Sequence, residues 1–333
     1  MNSLRELCLL NGTSGDEERT AEYIVGEIKD YCEYHIDNLG NIIAFKKGKK
    51  TPDKKVMIAS HMDEVGFIIT SITSDGYLKF TAVGGIDPRT FFGVSVKINN
   101  IFGVIGGKAM HQIEDRDKAP AEKEMFIDIG AKDKQDAEKY VSQGDFAYFD
   151  SDFVEFGDGF IKSKALDDRI GCKIMIDLIK SDLEYDAYFT FNVQEEVGLR
   201  GAKASAYTVD ADIALVIEST TAADLSGVTG ENKVCSLGDG AVVSFMDGRT
   251  IYDKNLYKLA FETAKENDIK CQTKSAVAGG NDSGVIHTSR NGVKTISISV
   301  PCRYIHTASS VVKKSDIDCV AKLTEKLLGR LYD

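Results

Sequence analysis

Apolar positions along this chain fall into two textures. Residues 56–60, Val-Met-Ile-Ala-Ser, are an almost unbroken apolar run, and 186–193, 213–217 and 295–300 read the same way. Strands buried on both faces look like this, because neither set of alternating side chains meets water. Between these runs the period becomes helical. Ala21, Ile24, Val25 and Ile28 share one face, and 169–180, 199–207, 254–267 and 313–331 have helical character too. Strands alternating with helices predict an α/β fold built on a mostly parallel sheet flanked by helices. Ser14 ahead of Asp16-Glu17-Glu18 predicts a helix start. Residues 34–37 and 41–45 around Asn38-Leu39-Gly40 predict a hairpin. The lysine-rich 46–55 predicts a solvated loop. Residues 242–246 and 270–275 read as extended.

The second texture runs from about 65 to 157. Short apolar runs at 65–72, 77–82, 94–98, 101–105, 125–129 and 146–149 are separated by Ser74-Asp75-Gly76, Gly84-Gly85 and Asn99-Asn100. That is an all-β pattern with turn signals, broken by a polar segment at 111–124 and a short helix near 134–140. It predicts a small β-rich, barrel-like domain, 65–157, inserted into an α/β domain made of 1–64 and 158–333.

Composition narrows the class. The 333 residues are 43% hydrophobic and 28% charged, with a formal charge of −11. A sizeable core is expected, and an acidic chain argues against nucleic acid as a partner. No apolar run reaches the length of a membrane span, and the N-terminus reads as a helix start rather than a leader. Seven scattered cysteines with no Cys-x-x-Cys disfavour disulfides and thiolate zinc sites, and suit a reducing cytoplasm.

The candidate chemistry sits where strands end. His61 follows the run at 56–60, Glu195-Glu196 follows 186–193, Glu218 follows 213–217, and His306 lies shortly after 295–300. Asp167-Asp168 precedes the helix at 169–180. Capping would account for that aspartate pair alone. It does not account for the whole set, since ligands gather at the carboxyl ends of strands in open α/β sheets. Imidazole and carboxylate donors without thiolate suit zinc, cobalt or manganese, singly or as a pair sharing a carboxylate. Asp63, two residues from His61, can hold the imidazole's second nitrogen and fix its tautomer. An unligated neighbour among Glu195 and Glu196 can serve as general base.

His61-x-Asp63, Ala165-Leu-Asp167-Asp168-Arg169, the run 194–202 (Gln-Glu-Glu-Val-Gly-Leu-Arg-Gly-Ala) and Arg303-Tyr-x-His306 together resemble the M42 metalloaminopeptidases. The resemblance covers nearly the whole chain. It implies a zinc-peptidase-like catalytic domain and an inserted domain that pairs subunits. It implies two divalent ions, zinc or cobalt, bridged by Asp167, with a cis Asp167–Asp168 peptide. His61 and Glu218 are expected on one ion, and Glu196 and His306 on the other. Asp63 is expected to orient His61 and Glu195 to act as general base. The implied activity is removal of N-terminal residues from short peptides by a cytoplasmic homo-oligomer, often a dodecamer. Gly280-Asn281-Asp282 matches the family's Gly-Thr-Asp turn by the substrate pocket. Three departures stand out: Glu218 where many relatives have Asp, Asn281 for Thr, and Thr-Ala-Ser-Ser after His306. Two other readings remain at this stage. Paired carboxylates also cleave glycosides, and a metal-holding subunit need not be catalytic.

Overall fold

Val56–His61 lies in the middle of the main sheet with every residue buried. Val56 and Ile58 pack into one apolar layer, Met57 and Ala59 into the other. Burial on both faces is what its unbroken apolar run requires. The computed structural model describes residues 1–109, 111 and 120–332. Among them, eleven strands form this sheet. Its centre is Ala187–Asn192, Val56–His61, Ile213–Thr221 and Lys294–Arg303, all parallel. Their carboxyl ends therefore share one edge.

The expectation of a mostly parallel sheet needs correction. The flanks are antiparallel: Glu33–Ile36 and Ile42–Lys46 on one side, and Ser310–Lys313, Phe160–Ser163 and Val154–Phe156 on the other. Ala241–Val243 also joins Lys294–Arg303 antiparallel. Antiparallel neighbours need only short connections, whereas each parallel pair needs a crossover. Short flanking strands carry too few residues for an apolar run to reveal them.

The two layers have different makeup. Leu166–Lys180 and Lys314–Leu328 pack with the N-terminal helices on one face. Small residues of Arg200–Val209, among them Ala202 and Ala206, cover the other. The helix expected to start at Ser14 runs instead from Glu18 to Ile28. Ser14 is drawn off by Asp63, whose carboxylate accepts its hydroxyl at 2.6 Å.

Between Gly66 and Phe149 six strands close into a barrel. Phe67, Phe80, Phe91 and Phe149 fill it with edge-to-face contacts. The polar segment expected at 111–124 lies mostly outside the described residues. The overall class is mixed α/β, a large helix-flanked sheet plus a six-stranded barrel.

Candidate metal centre

The parallel strand ends bring the seven expected residues together: His61, Asp63, Asp167, Glu195, Glu196, Glu218 and His306. His61 pairs in register with Asn192 on the neighbouring strand. Two residues further on, that neighbour leads into the loop with Glu195 and Glu196. Glu218 stands on the strand on the other side of His61.

Asp167 occupies the centre. Its Oδ1 lies 3.5 Å from His61 Nε2, and its Oδ2 lies 3.4 Å from His306 Nε2. The Asp167–Asp168 peptide is cis, and both aspartates have non-helical backbone angles ahead of the regular helix. Glu218 Oε2 is 3.7 Å from His61 Nε2, and Glu196 Oε1 is 3.3 Å from His306 Nε2. Three donor groups result among the described residues: His61 with Glu218 and Asp168, His306 with Asp167 and Glu196, and His61 with Glu195 and Glu196. Asp168 is the less available donor, because Ser60 Oγ and the Gly171 N–H already bond its two oxygens.

Buried polar atoms normally find partners. Here His61 Nε2, Asp167 Oδ1 and Glu218 Oε1 have no hydrogen-bond partner. Three unpartnered atoms converging from separate elements fit a cation, which would satisfy them at once. The electrostatics agree. Burial alone would lower the pKa of His61, but Asp167 and Asp63 reverse this and raise it well above the usual imidazole range. His306 is likewise pushed up to about 10, burial being outweighed by Glu196 and Asp167. Burial lifts Glu196 to about 7, and burial with Glu196 and Asp282 nearby raises Glu195 well above the carboxylate range. Carboxylates outnumber imidazoles among these residues, so the cluster favours a cation.

Asp63 ties the loops together. Burial opposes its charge, yet His61, Ser14 and the Glu195 N–H hold its pKa below normal. Its Oδ1 lies 3.3 Å from His61 Nδ1 and accepts the Glu195 N–H at 3.0 Å. Its Oδ2 also accepts the Glu196 N–H at 3.2 Å.

The structure gives several further residues supporting contacts that the sequence reading did not specify. His306 Nδ1 lies 2.8 Å from the Gly85 carbonyl, so Nδ1 carries the proton and Nε2 is left for a ligand. A backbone carbonyl carries no sequence signal. Glu17 is buried and accepts the Gly15 and Gln194 N–H groups at 2.8 and 3.1 Å. Asp282 is buried beside the site and accepts from Asn192 Nδ2 at 2.8 Å, and burial lifts its pKa to about 7. Its place in the Gly280-Asn281-Asp282 turn was the available hint. Glu64 and Lys164 form a buried pair at 2.5 Å beneath the aspartates. Arg303 pairs with Asp224 at 2.6 and 2.8 Å, anchoring the strand that leads to His306.

The centre opens into a cleft of about 360 Å³. Gly280 and Asn281 line it, as do Thr220, Thr221, Arg249 and Lys274.

Comparison with known proteins agrees with this arrangement. Residues 40–323 match the family described as M42 glutamyl aminopeptidase. The lysyl aminopeptidase of Pyrococcus furiosus is 31% identical over 334 residues, 96% of this chain and 94% of that protein. A TET aminopeptidase from a marine sediment archaeon of the Thaumarchaeota superposes with a TM-score of 0.95 at 32% identity, covering 99% of this chain and 96% of that one. The TET1 peptidase of Pyrococcus horikoshii, which can assemble into a tetrahedron or a large octahedral shell, gives 0.87 at 33% identity, with 98% of each chain covered. The chain belongs to the M42 family of aminopeptidases, metal-dependent hydrolases of the peptide bond.

Proposed function

We propose that this chain removes N-terminal residues from short peptides at a centre holding two divalent ions, zinc or cobalt. The reading rests on Asp167, whose two carboxylate oxygens face different histidines at 3.5 and 3.4 Å. A carboxylate so placed suits a bridge between two ions. His61 and Glu218 would complete one set of ligands, Glu196 and His306 the other.

When bound, such ions polarise a carbonyl and make water easier to deprotonate. The residues do the rest. Asp63 Oδ1, 3.3 Å from His61 Nδ1, would favour the proton on that nitrogen and leave Nε2 as a ligand. Glu195 takes a proton from the attacking water and passes it to the leaving amine. A glycosidase reading leaves the two histidines without a role, since that chemistry needs only two carboxyls across a sugar.

The barrel region, 65–157, is proposed as the part that pairs subunits of a homo-oligomer, with a dodecamer as its form. Phe92, Phe102 and Val104 are exposed there, and the assembly of the P. horikoshii relative supports the reading. A cytoplasmic setting is supported by seven free cysteines. No helix among the described residues is long and apolar enough to cross a membrane.

The test is metal stoichiometry with turnover. Chelated protein should lose release of aminoacyl nitroanilides and regain it at about two ions per chain. Asp167→Asn should bind fewer ions. Full metal content in that variant would remove Asp167 from the bridge.

A further inference from the structure

Three successive backbone N–H groups in the loop that carries Glu195 end on buried carboxylates. The Gln194 N–H reaches Glu17 Oε1 at 3.1 Å, the Glu195 N–H reaches Asp63 Oδ1 at 3.0 Å, and the Glu196 N–H reaches Asp63 Oδ2 at 3.2 Å. Gln194 has a φ of +55°, and Leu199 at the far end of the loop has +59°. Residues other than glycine rarely adopt that region, and such backbone persists only where its surroundings over-determine it. The two carboxylates supply that constraint. The proposed mechanism uses Asp63 but gives Glu17 no part.

Glu17 comes from the N-terminal segment 12–17, which is fastened at several points. Ser14 donates its hydroxyl to Asp63 Oδ2 at 2.6 Å. The Ser14 N–H meets the Glu64 carbonyl at 3.2 Å, the Glu64 N–H meets the Gly12 carbonyl at 2.9 Å, and the Gly12 N–H meets Glu64 Oε1 at 3.1 Å. On the other side Tyr148, from the barrel strand Phe146–Phe149, donates its hydroxyl to Asp16. Gly66 leaves room for this packing, since a Cβ there would collide with Thr13 Oγ1. Glu17 Oε1 also accepts the Gly15 N–H at 2.8 Å, which fixes the carboxyl from its own side of the contact. Ser14 and Glu17 are both buried, and burial with Asp63 nearby lifts the Glu17 carboxyl to about 7.

Resting on the proposed function, we infer that Ser14 and Glu17 are positioning residues for the general base. Glu17 holds the Gln194 backbone in its left-handed conformation. Ser14 fixes the Asp63 oxygen that holds the Glu196 N–H. Together they set where the Glu195 side chain stands relative to the attacking water. Among the described residues, neither lines the cleft or belongs to a donor group, so both act through the loop. Both donors to Glu17 are neutral N–H groups, so its acceptor oxygen, not its charge, carries the role.

The experiment measures kcat, KM, zinc content and thermal melting for the zinc-loaded full chain and its variants. The substrate is the aminoacyl nitroanilide that the unaltered protein releases fastest. Rates are taken per zinc-loaded chain, well below each melting temperature, so that lost stability alone leaves them unchanged. Glu17→Ala should lower kcat by about 10–100-fold, as small misplacements remote from the chemistry do, with KM and zinc content little changed. Glu17→Gln keeps an oxygen that can accept both N–H groups and should recover most of the rate. Ser14→Ala should lower kcat by less, again with zinc intact, and it decides between the same outcomes if Glu17→Ala does not fold. Normal kcat in the folded alanine variants would overturn the inference while leaving the peptidase reading intact. So would a Glu17→Gln rate as low as that of Glu17→Ala, or a zinc loss that accounts for the fall. No release from any nitroanilide by the unaltered, zinc-loaded chain would overturn the proposed function and this inference with it.

Discussion

His306 gives its Nδ1 proton to the carbonyl of Gly85 at 2.8 Å. A histidine beyond the end of the large sheet thus takes its ring orientation from chain that has just left a barrel strand, Leu78–Val83. This hydrogen bond joins the barrel to the candidate metal centre, and the adjoining backbone is tightly packed.

Gly84 is where that constraint can be tested. Its φ is +91°, and a Cβ there would meet Val65 Cγ1 at 2.7 Å and Glu196 Cβ at 3.2 Å. Gly84→Ala should destabilise the protein by about 1–3 kcal/mol through strain and overpacking. Because Glu196 and Gly85 both move with it, metal content should fall as well. Thermal melting and metal analysis of the purified variant check this. A variant with normal melting and full metal would contradict the proposed link.

Asp63→Asn replaces a carboxylate by an amide of the same shape. The His61 proton loses its anionic acceptor, and the Glu195 and Glu196 N–H groups lose a charged partner. Metal affinity should drop about 10–100-fold, as for other supporting carboxylates behind histidine ligands. Competition against a zinc chelator measures it. Unchanged affinity would mean that Asp63 serves the loops alone.

Metal binding should release protons. Burial lowers the pKa of both His61 and His306, but the surrounding carboxylates raise each of them above 6.5, His306 to about 10. Metal-free protein at pH 7 therefore holds these protons, and ligation must displace them from Nε2. Affinity should accordingly fall as pH is lowered. Zinc added to weakly buffered, metal-free protein at pH 7 should release at least about two protons per chain, from the histidines, with a further share from Glu196, which burial lifts to about 7. An unchanged pH would contradict the ligand assignment.

The buried pair under the site predicts a stability effect. Lys164 Nζ lies 2.5 Å from Glu64 Oε1 and donates to the Leu10 carbonyl at 2.8 Å. Lys164→Met would leave Glu64 buried with only Arg169, at 3.8 Å, as counter-charge. Breaking such a pair on one side costs about 3–5 kcal/mol. Urea unfolding should show a loss of that size, and a loss below 1 kcal/mol, about the worth of an exposed pair, would contradict it.

How much of this was legible beforehand follows from the physics of each signal. Double-sided burial writes an unbroken apolar run, so the strands carrying His61 and Glu218 could be read directly. Chemistry at strand ends could be read for the same reason. The flanking strands are short, so Phe160–Ser163 and Ser310–Lys313, four residues each, left no clear trace, and the sheet was expected to be more parallel than it is. Ser14 was misread because a short hydroxyl serves equally well as a helix cap or as a donor to a buried carboxylate; only the fold places Asp63 within reach. Lys164 was missed because lysines are usually solvated and its partner lies 100 residues away. Gly85 was missed because the acting group is its carbonyl.

The most direct test of the account is Glu195→Gln in the fully metal-loaded protein. Its amide preserves shape and cannot accept the proton of the attacking water. The account predicts unchanged metal content and a kcat lower by about 10²–10⁴-fold, the usual contribution of a general base. Turnover near that of the unaltered protein, with metal intact, would contradict the assignment of Glu195 and the mechanism built on it.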